Sequence, residues 1–473
     1  MRPRLTRLVL VALLGAAAPA FLAPSLPAQQ RPEDGRGQGL FTAEWHAARR
    51  AALAKSFLEK ASDPDGVIVL RGQGAMNDYR EFRQDNNFWY FTGIETPNAV
   101  LVMVPKTGEE YFLVPRVQPI QERWQGDLID PQEAKAITGI EVCTKLDKGG
   151  DPWGNFTALL DRLAEDHHTF YVQKKPAENW MMSRDNLVGW QSAMVNDPLD
   201  GRLGRGEQFA AKLAERYPNH EVKDISLLID LLRLVKTPEE IEAMRRACDV
   251  SGKAHVAVMR TAMPGDYEWQ LAARMSGIML EEGAMGAAYM AIVGSGPNAC
   301  MLHYSTNNRR LQEGDVVMID YGAEYRYHVA DISRTWPVSR EFTDRQREVY
   351  QAVYDAQEAA FARCKPGATL REISAAAQEV IAERGFGRMW HGVSHWLGMA
   401  THDVGPYDVK LEPGMVFTVE PGIYLPDEGM GFRIEDVVVI TDDGFELLSR
   451  NIPRSIEEIE ALRAEAWEAA SRP

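Results

Sequence analysis

Short apolar runs alternate with amphipathic helical patterns along the first half of the chain. Three apolar runs have the length of buried strands: Val67–Leu70, Ala99–Val104 and Tyr111–Val114. Strands mixed with helices in this way indicate an α/β domain, which we place at residues 42–228. Because 473 residues are too many for one ordinary hydrophobic core, a second domain is expected.

The second domain is predicted to span residues 236–473 and to open with a helix. Thr237 is suited to cap that helix, Pro238 to occupy its first turn, and Glu239 and Glu240 to interact with its dipole. The long amphipathic patterns at 238–262 and 344–364 then predict one helix each.

A weak internal repeat runs through this second domain. The helical segments 264–283 and 366–385 both begin with Pro-Gly and end with Gly, and each is followed by an LxxGxV turn at 311–316 and at 411–416. Four residues after each turn an apolar run ends in a carboxylate, Asp320 in one half and Glu420 in the other. Two matches in the same order predict an α+β domain built from duplicated halves around a pseudo-two-fold axis.

The N-terminus has the pattern of an export signal. Arg2, Arg4 and Arg7 precede the apolar run Leu8–Ala23, and small residues follow it. We interpret residues 1–28 as a signal peptide and 29–41 as a flexible leader, which predicts a periplasmic or secreted protein. An uncleaved membrane anchor is the alternative.

Charge and cysteine content exclude some classes of protein. A net charge of -16 disfavours a nucleic-acid partner, and no stretch after the signal is long enough for a membrane span. The four cysteines, Cys143, Cys248, Cys300 and Cys364, lack the CxxC spacing of a thiolate zinc site. They could form disulfides in one of three full pairings, or act as small buried hydrophobic residues.

Candidate chemistry concentrates at the predicted strand ends. Asp320 and Glu420 end apolar runs, Glu435 precedes another, and Asp331 lies where a turn could bring it opposite Asp320. Buried carboxylates need a cation or hydrogen bonds, and Arg334 is a possible neutralising partner for Asp331.

Three histidines, His391, His395 and His402, fall within twelve residues among glycines. Four carboxylates with one imidazole suit manganese, and also cobalt or zinc, as a pair of ions that activates water.

The order of the motifs in the second domain resembles that of the pita-bread metallopeptidases, and the full chain is similar to the proline-specific Xaa-Pro aminopeptidases (aminopeptidase P) of that family. The matching segments are Gly294–Gly296 with Leu302–Tyr304, Ile319–Gly322, Asp331–Thr335, His391–Gly398 with His402–Gly405, Thr418–Gly422 and Arg433–Asp436. In the first domain, Tyr79–Gln84 and Phe88–Gly93 are also similar to the family.

The resemblance implies a role for each site residue. Two divalent metals would bind to Asp320, Asp331, His395, Glu420 and Glu435, with Glu420 also acting as the proton shuttle. Substrate orientation and stabilisation of the tetrahedral intermediate would fall to His303, His391 and His402, and Arg433 would anchor the network around the metals. The proline pocket would be lined by Tyr424 and, from a neighbouring subunit, Trp89.

The implied activity is release of the N-terminal residue from peptides with proline in second position, by a homodimer or homotetramer. Prolidase, which is restricted to Xaa-Pro dipeptides, is the nearest alternative, and a metal-free binding module is a remote one that the complete ligand set disfavours. The sequence departs from the family at Tyr327–Ala330, just before Asp331, where small residues are common.

Overall fold

The computed structural model describes residues 39–75, 81–126, 128–178 and 180–470. The predicted signal peptide, most of the predicted leader, and Tyr79 and Arg80 of the first-domain motif lie outside these ranges. Among the described residues, no helix combines the length and apolar character needed to cross a bilayer.

The first domain is a mixed six-stranded sheet covered by helices. Its strands are β1 Val67–Arg71, β2 Val100–Val104, β3 Glu109–Val114, β4 Val142–Lys145, β5 Thr169–Val172 and β6 Glu221–Asp224. Its helices are α1 Ala43–Lys60, α2 Asn86–Thr92, α3 Pro119–Gln125, α4 Pro131–Thr138, α5 Gly154–Asp166, α6 Arg184–Val195, α7 Arg205–Arg216 and α8 Ser226–Leu234. The strand order is β4-β3-β2-β1-β5-β6, with β2 antiparallel to both of its neighbours. The three predicted strands are β1, β2 and β3, and the predicted α/β class is confirmed.

The predicted end of the first domain, residue 228, falls inside α8. Ile225 and Ile229 pack into the core beneath the first sheet, whereas Leu234 joins the core of the second domain. The physical division between the domains therefore lies at the end of α8. Thr237 then caps the next helix as predicted, because its hydroxyl accepts a hydrogen bond from the Glu240 N–H at 3.3 Å.

The second domain packs five helices against several short antiparallel strands. The helices are α9 Pro238–Thr261, α10 Glu268–Glu281, α11 Asp344–Phe361, α12 Leu370–Glu383 and α13 Ile456–Ala470. The strands are β7 Gly286–Ala287, β8 Ile292–Ser295, β9 Val316–Asp320, β10 Ala323–Tyr325, β11 His328–Val329, β12 Ser333–Pro337, β13 Val416–Val419, β14 Gly422–Leu425, β15 Met430–Arg433, β16 Asp436–Ile440 and β17 Phe445–Leu447.

The predicted duplication is visible in the hydrogen bonds of the turns. The N–H of Gly265 donates to the Leu311 carbonyl at 2.9 Å, and the N–H of Gly367 donates to the Leu411 carbonyl at 2.8 Å. Both glycines have positive φ, +98° and +82°, a conformation that side chains disfavour. The pita-bread fold is thereby confirmed, with β9 and β13 as equivalent strands.

All four cysteines are unpaired, which answers the disulfide question left open by the sequence. Cys248 and Cys364 are 1% and 3% exposed and sit in the core of the second domain. They fill space as small hydrophobic residues do.

Candidate metal centre and active site

Four carboxylates converge where the equivalent strands of the two halves end. Asp320 is the last residue of β9, and Glu420 directly follows β13. Asp331 and Glu435 precede β12 and β16, the antiparallel partners of those strands. Because β9 pairs with β12 and β13 pairs with β16, all four side chains lie at the same end of these strand pairs. Asp320, Asp331 and Glu435 are 8%, 4% and 2% exposed.

His395 lies on a segment that runs antiparallel beside β13. The Thr418 N–H donates to the His395 carbonyl at 3.0 Å, and Trp396 pairs with Phe417. In the other half β8 runs beside β9 in the same way, with Gly294 opposite Met318. Gly294 is therefore the counterpart of His395, so at this pair of equivalent positions only the second half has an imidazole.

The ring of His395 is oriented to bind a cation. Its Nδ1 donates to the Trp396 carbonyl at 3.1 Å, which leaves the Nε2 lone pair facing the acids. Nε2 lies 3.4 Å from Asp331, 3.4 Å from Glu420 and 4.0 Å from Glu435. Ligand atoms of Asp331, His395 and Glu435 all lie within 4.8 Å of one another, a spacing that one metal ion can bridge.

The shifted pKa values of the site residues reflect the negative charge that is confined in this cavity. Burial raises the pKa of Asp320 to about 7, and burial together with the Asp331 charge raises the pKa of Glu435 well above its usual range. For His395, burial opposes protonation, but Asp331 and Glu420 outweigh it and raise the pKa to about 9. This cluster attracts positive charge, and its oxygen-rich donor set fits divalent cations.

Tyr289 was not anticipated from the sequence, yet it joins two of the predicted ligands. Its hydroxyl lies 2.7 Å from Asp320 and 2.6 Å from Asp331. Nothing in the local pattern around Tyr289 separates it from a core aromatic residue. Its position confirms that Asp320 and Asp331 face each other. Arg334, the alternative partner for Asp331, instead pairs with Asp436 at 2.6 Å.

Arg433 starts a directed chain of hydrogen bonds along the wall of the site. It contacts Asp320 at 2.6 Å and donates to the Tyr424 hydroxyl at 2.9 Å. Tyr424 lies 2.8 Å from Nε2 of His391, whose Nδ1 lies 2.7 Å from the Gly392 carbonyl. Since that carbonyl can only accept, Nδ1 carries the proton and Tyr424 donates to Nε2. Burial lowers the pKa of His391, which agrees with a neutral ring.

The predicted catalytic histidines and metal ligands line one cavity of about 680 Å³, together with Arg433. The ring of His402 stacks on that of His395 at 4.0 Å, and its Nδ1 lies 3.3 Å from Asp185 of the first domain. His303 lines the same cavity.

The first domain supplies a wall that sequence reasoning missed. The start of α6 and the residues before it line the cavity with Met181, Met182, Ser183, Asp185, Asn186, Leu187 and Trp190. This segment is fixed at its base, because the Arg184 N–H donates to the His402 carbonyl at 2.9 Å. Tyr407, Met290 and Leu302 add further apolar surface from the second domain.

Two predicted substrate-binding residues lie elsewhere. Trp89 is 6% exposed and stacks on Tyr327 at 4.2 Å, outside the cavity that holds the carboxylates of its own chain. Its predicted contact with substrate would be made in a neighbouring subunit, and that role stays a prediction. Tyr424 is 5% exposed and is not among the side chains that line the cavity. The Tyr424 hydroxyl instead holds His391 and Arg433 in place through hydrogen bonds outside the cavity.

Comparison with known proteins agrees with this geometry. Residues 46–171 match the N-terminal domain of aminopeptidase P, and residues 242–442 match metallopeptidase family M24. The Xaa-Pro aminopeptidase of Escherichia coli (strain K12) is 33% identical over 81% of this chain and 90% of its own. Human Xaa-Pro aminopeptidase 3 is 31% identical over 89% of this chain and 86% of its own.

Solved structures give the same result. Pseudomonas aeruginosa aminopeptidase PepP superposes with a TM-score of 0.74 at 30% identity, covering 90% of this chain and 99% of that one. Escherichia coli aminopeptidase P with the inhibitor Pro-Leu gives 0.75 at 29% identity over the same shares.

A duplicated domain with this carboxylate site is that of an M24 metallopeptidase. The aminopeptidase P domain in front of it and the relatives along most of the chain are more specific. This chain belongs to the Xaa-Pro aminopeptidases, which release N-terminal residues in a metal-dependent reaction.

Proposed function

We propose that this chain removes the first residue from peptides with proline in second position, using two divalent metal ions, with manganese as the first choice and zinc or cobalt as alternatives. The observation that supports this most is the convergence of four carboxylates and one imidazole on a single cavity. Oxygen donors with one nitrogen suit hard to borderline cations. The residues that would hold the ions are Asp320, Asp331, His395, Glu420 and Glu435.

Glu420 is the carboxylate best placed to carry a proton. It remains 15% exposed at the cavity, and its carboxylate lies 3.6 Å from Nδ1 of His391. When bound, the ions would lower the pKa of a water and polarise the scissile carbonyl. Glu420 would take the proton of that water and deliver it to the leaving proline nitrogen.

The histidines would handle the substrate. His402 directs Nδ1 toward Asp185, so its Nε2 would serve the peptide. With His303 and the supported His391, it would orient the substrate carbonyl and stabilise the charge that develops on its oxygen. Arg433 would keep Asp320 and His391 in fixed relative positions through Tyr424.

The size of the cavity favours peptides over dipeptides. A volume of about 680 Å³, with apolar side chains from both domains, leaves room beyond two residues. Peptides that continue past proline would contact this additional surface. An aminopeptidase is therefore favoured over prolidase.

Export and self-association complete the proposal. The signal-like residues 1–28 would direct the chain to the periplasm or the medium, where it would act on extracellular peptides.

A homodimer or homotetramer is supported by α3, where Ile120 and Trp124 share one face and are 55% and 82% exposed. Mass spectrometry of the mature protein would locate the cleavage site, and light scattering would give the subunit number.

Chelation provides the first test of the mechanism. Treatment with excess chelator should abolish peptide cleavage, and added Mn²⁺ should restore it. Full activity without metal would exclude the two-metal mechanism.

Substrate comparison separates the two activities. Xaa-Pro-Yaa peptides should be cleaved, and a strict preference for Xaa-Pro dipeptides would identify a prolidase instead. Glu420→Gln should still bind peptide but scarcely turn it over, whereas a near-normal kcat would remove Glu420 as the proton shuttle.

A further inference from the structure

The hairpin that leads into Asp331 has an unusual turn. Tyr325 pairs with His328, so Arg326 and Tyr327 form a two-residue loop between β10 and β11. Both residues have positive φ, +49° and +66°. Turns of this kind favour Asn or Gly at both positions, because side chains disfavour the left-handed region. A bulky Tyr327 here costs free energy that contacts elsewhere must offset.

The contacts that offset this cost all come from the first domain. The ring of Tyr327 lies between Trp89, stacked at 4.2 Å, and the guanidinium of Arg83, 4.0 Å from the ring centre. Its hydroxyl accepts from the Gln84 N–H at 3.1 Å and donates to Glu95 at 2.5 Å. With both ring faces and the hydroxyl engaged and only 2% of its surface exposed, Tyr327 joins the hairpin firmly to residues 83–95.

A second contact holds the same hairpin to the same domain. Arg83 forms an ion pair with Glu324 of β10 at 2.7 Å, and both side chains are at least 95% buried. Buried pairs with good geometry fix the relative position of the elements that carry them. The hairpin is therefore held to the first domain both at its turn and on β10.

The chain continues from this hairpin directly into the site. Val329 donates its N–H to the Gly398 carbonyl at 2.9 Å, and Ala330 donates to Ala323 at 2.9 Å. Asp331 follows at once, with one carboxylate oxygen 2.6 Å from Tyr289 and the other 3.4 Å from His395. Movement of the hairpin would separate Asp331 from its neighbours in the site.

We propose that Tyr327 is a positioning residue, through which the first domain fixes Asp331 in the geometry that binds the cation. This inference rests on the proposed function only in taking Asp331 as a metal ligand. It also gives a role to the segment before Asp331 where the sequence departs from its family, and to the buried Trp89.

The test is Mn²⁺ binding by the metal-free full-length protein, followed through the electron paramagnetic resonance signal of the free ion. Tyr327→Gly relieves the backbone strain of the turn but removes the contacts with the first domain. This variant should weaken Mn²⁺ binding at least about tenfold. Tyr327→Phe keeps the stacking and should remain within about threefold of wild type. If Tyr327→Gly does not fold, Tyr327→Leu replaces it, because it keeps the bulk and loses the stacking and the hydroxyl.

The matched control is Phe156→Ala. Phe156 lies in the core on the other face of the first sheet, so the variant should lose thermal stability and keep its Mn²⁺ affinity. The positioning role would be overturned if folded Tyr327→Gly bound Mn²⁺ as tightly as wild type, or if Phe156→Ala lost as much Mn²⁺ affinity as Tyr327→Gly. Either result would leave the proposed function intact. Wild-type protein that binds no Mn²⁺ would overturn both.

Discussion

Arg233→Met should strongly destabilise the junction of the two domains. Arg233 is 1% exposed, and its guanidinium contacts Asn87 at 2.7 Å, Glu178 at 2.8 Å and Asp403 at 2.5 Å. Asp403 directly follows His402, which lines the catalytic cavity. Methionine fills much of the same space but leaves two carboxylates buried with fewer partners.

The size of the effect follows from the loss of one partner of a buried ion pair. Removal of one partner of a buried ion pair typically costs about 3–5 kcal/mol. Burial alone would raise the pKa of Glu178, yet Arg233 and Arg184 lower it from 4.5 to about 2. Removal of Arg233 therefore takes away part of the attraction that keeps Glu178 ionised. We therefore expect a loss of about 3 kcal/mol at pH 7.

The effect of Arg233→Met on stability depends on pH through the ionisation of Glu178. Because the pKa of Glu178 is lower in the folded protein, its contribution is complete above pH 4.5 and disappears as the pH falls toward about 2. Once Glu178 is protonated, it carries no charge, and the loss of the guanidinium of Arg233 costs less stability. The stability difference between wild type and Arg233→Met should therefore narrow below pH 4.5.

Guanidinium chloride unfolding, followed by circular dichroism and tryptophan fluorescence together, would measure these differences. Arg202→Met is the matched control, since Arg202 pairs with Asp200 but is 74% exposed, and its unfolding midpoint should stay close to that of wild type. A loss below about 1 kcal/mol for Arg233→Met, or a difference that does not narrow in acid, would refute this account of the junction.

Two further predictions concern the cavity. Tyr289→Phe should lower peptidase activity about 10–100-fold without changing the circular dichroism spectrum, as is typical when support of metal ligands is lost. Tyr321→Phe, whose hydroxyl contacts Ser276 rather than a carboxylate, should stay near wild type in the same assay, and equal rates in both variants would contradict the role of Tyr289. Trp190→Ala should raise KM several-fold at unchanged kcat, because the cavity wall contributes uniform binding. Val188→Ala on the same helix, outside the cavity, should not change KM, and an unaltered KM in Trp190→Ala would exclude that wall from substrate binding.

Much of the second domain was predictable because its signals are local. The predicted helices at 264–283 and 366–385 are observed as Glu268–Glu281 and Leu370–Glu383, each followed by a glycine of positive φ. Caps and glycine turns act within a few residues, so they can be recognised without knowledge of the fold. An acid at the end of an apolar strand is equally local, because burial of an unpaired charge is costly.

The residues that were missed depend on contacts between distant parts of the chain. Tyr289 meets Asp320 and Asp331 only after β9 and β12 have paired. The wall at 181–190 meets the catalytic site only after the domains have packed. Trp89 lies in a motif that resembles its family, but the motif cannot show that the ring is covered by Tyr327.

The duplication also explains why the two halves could not be aligned residue by residue. The strand register places Asp331 and Glu435 at different positions of the two halves. Ser333 lies opposite Asp320 and Asp436 opposite Val419, so Glu435 corresponds to Ser333 and Arg433 to Asp331.

Equivalent residues meet each other near the pseudo-two-fold axis, and this constrains what they can be. Arg334 pairs with its own counterpart Asp436 at 2.6 Å, and the Ser333 hydroxyl donates to its counterpart Glu435 at 2.8 Å. Identical charged residues at such positions would repel each other in a buried setting. A duplicated domain with a charged axis must therefore diverge there, while its turns and helix ends stay alike. The repeat is consequently weak in sequence at these axial positions, although Asp320 and Glu420 still match, and an imidazole can enter one half without entering the other.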